Sequence, residues 1–153
     1  DPNVRLEMLR DPRAMDVVRE VYLNCSIFMP GRSEIRMITG EEDLDRAIAR
    51  AFEDNAGLEL IVLKSGGEGS KIYAREGLAE TMGVYKVTQL DATGAGDAYN
   101  GGFVTALSEG RDLFEAARYG NATGALSVTK LGTAPAMPTR GEIDQLVKKS
   151  YGL

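Results

Sequence analysis

The chain has 153 residues, 43% of them apolar, a length and composition that suit one globular core. Lys+Arg 18 against Asp+Glu 23 leaves a formal net charge of −5, which argues against a general binder of nucleic acid or anionic membrane. With no His, one Cys and no clean apolar run longer than Leu60–Leu63, the sequence excludes an imidazole base, a Ser-His-Asp triad, an internal disulfide, a Cys-cluster metal site and an apolar membrane span. No charged-then-apolar leader opens the sequence, so a cytoplasmic protein is expected. The start at Asp1-Pro2-Asn3 without Met suggests part of something longer.

In chain order, Asp11-Pro12 predicts a helix start, a capping acid followed by Pro at the first helical position. Ala14, Val17, Val18 and Val21 then share one face at the 3.6-residue period. Ser26–Met29, closed by Pro30-Gly31, reads as a short buried strand that holds Cys25 as a core residue. Thr39 and Glu42 have capping-box spacing ahead of Leu44, Ile48, Ala51 and Phe52, a helix that should end near Asn55–Gly57. Leu58–Leu63 reads as a buried strand, and Ser70–Ala74 with Gly83–Val87 as strands of a meander. A helix is predicted from about Asp97 to Ser108, and another after Asp112 made mostly of small residues. A third opens at the Thr139/Glu142 capping box with Ile143, Leu146 and Val147 inward. Strands alternating with helices predict an α/β fold, a mostly parallel sheet covered by helices.

Gly makes up 18 of 153 residues, about 12% against a usual ~7%, and the excess is clustered. The sharpest cluster is Asp91-Ala92-Thr93-Gly94-Ala95-Gly96-Asp97, between an apolar segment and a helix. Small residues let backbone N–H groups converge there, and the helix N-terminus adds roughly half a positive charge. The result suits a phosphoryl group whose oxygens gain charge, and Asp97 at its edge could take a proton from an attacking hydroxyl. A glycine-rich turn with a capping acid is also an ordinary helix start, so spacing alone leaves both readings open. Gly101 and Gly102 inside the helix each cost about 1 kcal/mol against Ala, so something, a sheet or a ligand, should approach that helix closely. There is no G-x-x-x-x-G-K-[ST] run, and neither Gly94-x-Gly96 nor Gly67-x-Gly69 is completed by the third glycine of a dinucleotide fingerprint.

The run Asp91-Ala92-Thr93-Gly94-Ala95-Gly96-Asp97-Ala98-Tyr99-Asn100-Gly101-Gly102-Phe103 resembles the C-terminal signature of the PfkB, or ribokinase-like, carbohydrate kinases. Four other stretches agree in order. Asp1-Pro2-Asn3-Val4-Arg5 is similar to a strand end of the fructokinase and 2-keto-3-deoxygluconate kinase branch, and Val62–Gly69 to the nucleotide-side strand and turn. Asn121–Gly132 resembles the adenine-side helix and loop, and Pro138–Glu142 the start of the final helix. The resemblance covers essentially the whole chain but only the second half of such a kinase. It implies a ribokinase-like three-layer α/β fold lacking its N-terminal substrate and lid half.

That resemblance implies roles residue by residue. Asp97 would be the base, with Gly94, Ala95 and Gly96 giving backbone N–H groups to the moving phosphoryl. Lys64, Ser65, Gly66, Gly69 and Asn121 would line the ATP site. Asn3 and Arg5 would reach the phosphate or the acceptor, a sugar or sugar acid whose carboxylate Arg5 could hold in a two-pronged contact. Some members bind a monovalent cation such as K+ beside the turn, and the matching positions are Asp91, Thr93, Ser127, Lys130 and Gly132. The family's N-x-x-E motif, which supports Mg2+ and phosphate, reads Gly31-Arg32-Ser33-Glu34, so the Glu is kept and the Asn is replaced. Dimers of this family often pair through the lid region, which leaves a homodimer of the full-length protein open, and half a cleft by itself would turn over slowly. A non-catalytic nucleotide-binding or assembly module, and a nucleoside or vitamin kinase of the same family, stand as alternatives.

Overall fold

A computed structural model describes residues 1–5 and 7–151. These separate into two units, Asp1–Ser65 with Lys71–Thr81, and Gly66–Ser70 with the chain from Met82 onward. The chain leaves the first unit at Gly66, returns at Lys71 and leaves again at Met82.

In the first unit the Asp11 carboxylate accepts the Arg13 N–H at 3.0 Å and Pro12 takes the first helical position, starting α1 (Pro12–Leu23) as expected. The inward face differs from the expected one. Val17 and Val21 are 59% and 66% exposed, whereas Tyr22 is buried and Met15 and Val18 pack beside it. The Tyr22 hydroxyl, donating toward Asp54 Oδ2 (3.2 Å) and the Ala51 carbonyl (3.3 Å), fixes that rotation of the helix. After β1 (Ile27–Phe28) comes α2 (Arg32–Thr39), which the sequence reading passed over. Thr39 does not start a helix: it ends α2, its hydroxyl turned back to the Ile35 carbonyl at 2.7 Å, with Gly40 in the left-handed region at φ 76°. The cap of α3 (Leu44–Asp54) is Asp43, which accepts the Arg46 N–H at 2.9 Å.

β2 (Leu60–Lys64) pairs in parallel with β1, Ile27 opposite Leu60 and Phe28 opposite Ile61, with α2 and α3 as the crossover. The sheet continues through β3 (Ser70–Ala74) to β4 (Ala79–Met82) in the order β1-β2-β3-β4. Connections 65–69 and 75–78 are too short for parallel crossovers, so β2, β3 and β4 form the anticipated meander. Its last strand lies at Ala79–Met82 rather than at Gly83–Val87. Gly77, at φ 92°, donates to the Ala74 carbonyl, and Ala74 donates to Leu78 at 2.8 Å, which starts the return arm early. Ile35, Ile38, Ala47, Ala51, Leu58 and Ile61 are the centre of this unit's core.

The second unit is built on α4 (Ala95–Ser108), α5 (Leu113–Ser127) and α6 (Arg140–Tyr151). A Cβ on Gly102 would fall 2.2 Å from Thr123 Oγ1, and one on Gly120 would fall 3.0 Å from the Tyr99 ring. The small residues of α5 thus bring two helix backbones close together, as the sequence suggested. Asp112 caps α5 through the Glu115 N–H at 2.8 Å, and Thr139 and Glu142 form the expected capping box, Thr139 N–H to Glu142 Oε2 at 2.6 Å. Arg140 forks onto the Glu109 carboxylate and bonds Asp144 Oδ1 at 2.9 Å, tying the start of α6 to the end of α4. No helix among the described residues is long and apolar enough to cross a membrane.

In the β3–β4 turn, Arg75 donates from Nε to the Leu58 carbonyl at 2.7 Å and from Nη2 to the carbonyls of Phe52 and Asn55. It thereby satisfies the end of α3 and the entry to β2 together. Arg75→Met, which removes the guanidinium that also lies over the Phe52 ring at 5.2 Å, is expected to cost about 2 kcal/mol by leaving those acceptors unpaired. A fall in urea midpoint with unchanged slope is the measurement.

Candidate functional site

The turn before α4 is built from the main chain. Asp91 accepts the Thr93 N–H on Oδ1 and the Gly132 N–H on Oδ2, both at 2.9 Å. The Leu90 and Asp91 N–H groups donate to the Val128 carbonyl at 2.7 and 3.2 Å. One carboxylate thus joins the turn to the loop after α5. Its bonds to Thr93, and then to Gly132, hold its pKa below the ordinary Asp value. Gly94 caps α4 in the left-handed region at φ 78°, and a Cβ there would meet Thr133 Cγ2 at 3.0 Å, so both conformation and space require glycine.

The amides left without an acceptor at this turn differ in one member from the expected set. The Ala95 N–H donates to the Ala92 carbonyl at 3.2 Å and closes the turn, while Ala98 donates to Gly94 at 2.9 Å and begins the helical ladder. The N–H groups of Gly94, Gly96 and Asp97 have no acceptor among the described residues, and these three are available to an anion. The Asp97 side chain is exposed in the first turn of α4, beside those amides. An anion at the helix end and a proton acceptor at its rim are what hydroxyl phosphorylation needs.

Of the residues expected at the nucleotide, Gly66, Gly69 and Asn121 belong to this second unit. Gly69, at φ 89°, lies so close to the Met82 carbonyl that a Cβ would fall 2.2 Å from it. Asn121 is buried, and its Nδ2 donates to the Met82 and Gly83 carbonyls at 3.3 and 3.1 Å. The structure brings Gly69 and Asn121 together through residues 82–83, and Asn121 spends its amide N–H groups on the protein. Met82 and Gly83 escaped the sequence reading because their contribution is carbonyl oxygen, which leaves no residue-type signal. Gly66 is exposed at φ 55°. Ser127 is buried with its hydroxyl on the Gly124 carbonyl at 2.8 Å, and Lys130 reaches Glu142 at 3.5 Å.

Asn3, Arg5, Glu34, Lys64 and Ser65 belong to the first unit. Glu34 accepts the Gly31 N–H on Oε2 at 2.6 Å and the Val4 N–H on Oε1 at 2.8 Å, fastening the first residues of the chain to the start of α2. Lys64 pairs with Asp1 at 2.6 Å. Asp1 was missed as a partner, although an acid two residues before Asn3 was a signal. Asn3 is in the left-handed region at φ 44° with its N–H on Asp1 Oδ1 at 3.3 Å, and Asn3 and Arg5 are both exposed. No cluster of three or more acidic or Cys ligands exists among the described residues. Both oxygens of Glu34 are engaged, but each keeps a second lone pair, which fits Mg2+ held mainly by phosphate oxygens and water, with Glu34 acting through a water.

The family model for pfkB family carbohydrate kinases matches residues 1–140. The ribokinase of Haemophilus influenzae is 34% identical over 142 residues, covering 90% of this chain and 46% of that protein. Fructokinase-1 of Zea mays is 31% identical over 160 residues, 98% of this chain and 48% of that protein. Among solved structures, an Escherichia coli protein assigned as ribokinase II, in complex with ATP and Mg2+, superposes with a TM-score of 0.90 at 31% identity over 97% of this chain and 47% of that one. The chain spans about half the length of these relatives.

The Asp91 bonds give the turn an acid limit. A group with a depressed folded-state pKa contributes stability above its unfolded value, here 3.8, and that contribution is lost as pH falls through the folded value. Between pH 5 and about 3 the protein should lose more thermal stability than its Asp91→Asn variant, whose residue 91 does not titrate. Parallel melting curves at stepped pH test this, and equal slopes would remove Asp91 as the link between turn and loop.

Proposed function

Because the chain belongs to the pfkB family of carbohydrate kinases, we propose that it is the ATP-binding half of a kinase that phosphorylates a hydroxyl of a sugar or sugar acid. The observation that carries this reading is the trio of uncommitted amides at Gly94, Gly96 and Asp97, with the Asp97 carboxylate at their rim.

The chemistry follows from charge. As the acceptor oxygen bonds to the γ-phosphorus of ATP, its O–H proton passes to the Asp97 carboxylate and the bond from γ-phosphorus to the bridging oxygen breaks, releasing ADP. Charge on the transferring oxygens is met by the three amides and the positive end of α4, which are oriented in advance by the Asp91 bonds and the Gly94 turn. Mg2+, when bound, would neutralise the phosphates. A monovalent cation beside the turn would be held by oxygens of Asp91, Thr93, Ser127, Lys130 and Gly132, and the bridge from Asp91 to Gly132 already joins the segments that carry them. Lys64 and Ser65 are assigned to the nucleotide, and Asn3 and Arg5 to the phosphate or acceptor. Asn121 and Gly69 act on the nucleotide side by fixing residues 82–83.

Asp97→Asn in the full-length kinase is expected to lower kcat by 10²–10⁴-fold, the usual worth of a general base, and to leave ATP affinity within about twofold. Coupled turnover assays and calorimetric ATP titration read the two quantities. A variant that keeps its turnover would remove Asp97 as the base, whereas ATP binding with no turnover by the unsubstituted protein on any sugar or sugar acid would favour a nucleotide-binding or assembly module in which the turn is scaffold.

A further inference from the structure

Asn3 is the one non-glycine residue with a positive φ among the described residues, at 44°. That conformation is strained for a residue with a side chain and persists only where the surroundings hold it. Here an acid holds the main chain on each side. Asp1 Oδ1 accepts the Asn3 N–H at 3.3 Å, and Glu34 Oε1 accepts the next N–H, that of Val4, at 2.8 Å. Both acids are themselves anchored, Asp1 Oδ2 on Lys64 Nζ and Glu34 Oε2 on the Gly31 N–H, each at 2.6 Å. Gly31 and Lys64 are in turn parallel bridge partners. The contacts close a ring through Asn3, Val4, Glu34, Gly31, Lys64 and Asp1, all within the first unit.

A helix start explains only part of this. The bond from Gly31 to Glu34 is half of a capping box for α2, but the second Glu34 oxygen reaches 30 residues back to Val4, which α2 does not require. Anchoring does not require it either, because the Val4 side chain already packs against the hydrophobic core. What the Glu34–Val4 bond adds is direction. The Asn3 carboxamide next to it is exposed and makes no hydrogen bond among the described residues. An uncommitted carboxamide on a fixed, strained backbone is a group aimed at something outside the chain. It both donates and accepts, as a sugar hydroxyl does, whereas phosphate oxygens only accept.

We propose that Glu34 is a positioning residue for the acceptor: through the Val4 N–H it locks the left-handed turn at Asn3 and so aims the Asn3 carboxamide at a hydroxyl of the sugar or sugar acid. The inference rests on the kinase reading and gives Glu34 a task separate from any water on Mg2+.

The test is made in the full-length kinase with Glu34→Ala. The Val4 amide should lose its protection from hydrogen exchange in the Mg2+-free protein. At saturating ATP, kcat/KM for the acceptor should fall by about 10²-fold, the scale of loss when a binding group is misplaced. Saturating Mg2+ should not restore it. In an Asn3→Gly background, glycine adopts the turn freely and no carboxamide is left to aim, so Glu34→Ala should lower kcat/KM by less than about threefold. A purely structural anchor would lose the same factor in both backgrounds, and that equality would overturn the proposal. So would an unchanged Val4 amide, or recovery at high Mg2+, since Glu34 would then act through the metal alone. Should Glu34→Ala not fold, Glu34→Gln replaces it, because a single carbonyl oxygen can serve only one of the two N–H groups. A fall in kcat/KM together with Val4 exposure supports the proposal, and a fall with Val4 still protected ends it. The kinase reading fails separately, through an unsubstituted enzyme that turns over no sugar or sugar acid, and this inference would fall with it.

Discussion

The close approach of α4 and α5 is the constraint on which the candidate site depends. Thr123 and Tyr119 occupy the volume where Gly102 lacks a side chain, and the Tyr99 ring occupies the corresponding volume at Gly120. With so little clearance, rotating or sliding either helix would drive the main chain at Gly102 and Gly120 into Thr123, the Tyr119 carbonyl and the Tyr99 ring, which restrains the first turn of α4 and the direction of its amides. Electrostatic catalysis needs dipoles fixed before charge develops, because dipoles that reorient during the reaction give back part of what they stabilise. The small residues of α5 are thus as much a part of the proposed anion hole as the turn itself.

The hole is also held from its other side. The Asp91 carboxylate uses both oxygens on backbone N–H groups, one in its own turn and one 41 residues further along the chain. Glu34 does the same in the first unit, with Gly31 and Val4. In each case an acid binds a distant stretch of main chain, and the distant stretch contributes no side chain to the bond. The Gly at position 31 is compatible with this: a Cβ there would sit 3.2 Å from Glu34 Oε2, so the bare backbone leaves the carboxylate undisturbed.

Legibility in the sequence followed the physics of each signal. Capping acids and glycine stops have short-range causes: α1, α5 and α6 begin where Asp11, Asp112 and the Thr139/Glu142 pair place them, and α4 begins at Ala95, two residues before the expected Asp97. The misread Thr39 belongs to the same class of residue, because a threonine hydroxyl serves a helix end as readily as a start, and only the buried Ile35 and Ile38 decide which. Periodicity placed Val17 and Val21 inward because α1 has apolar residues on more than one face; the choice fell to Tyr22 and its partner Asp54, 32 residues away. At the candidate site, the position of Asp97 in the first turn of α4 and the glycine at the turn were legible, because a left-handed cap favours one residue type and a helix start favours an acid. The commitment of the Ala95 amide to Ala92, and the carbonyls at Met82, Gly83 and Val128, were not, since every residue carries the same peptide group.

The junction at residues 82–83 distributes its tolerance to mutation unevenly. Asn121 grips two carbonyls, and Gly69 makes room for one of them, so the recipient stretch is recognised through atoms common to all twenty amino acids. Substitutions that keep the local backbone path at position 83 should accumulate there with little penalty. Asn121 and Gly69 have no such latitude, because one supplies a forked donor and the other an absence of atoms. Among diverging descendants of this chain, drift should therefore concentrate on the gripped strand end and spare the residues that grip it.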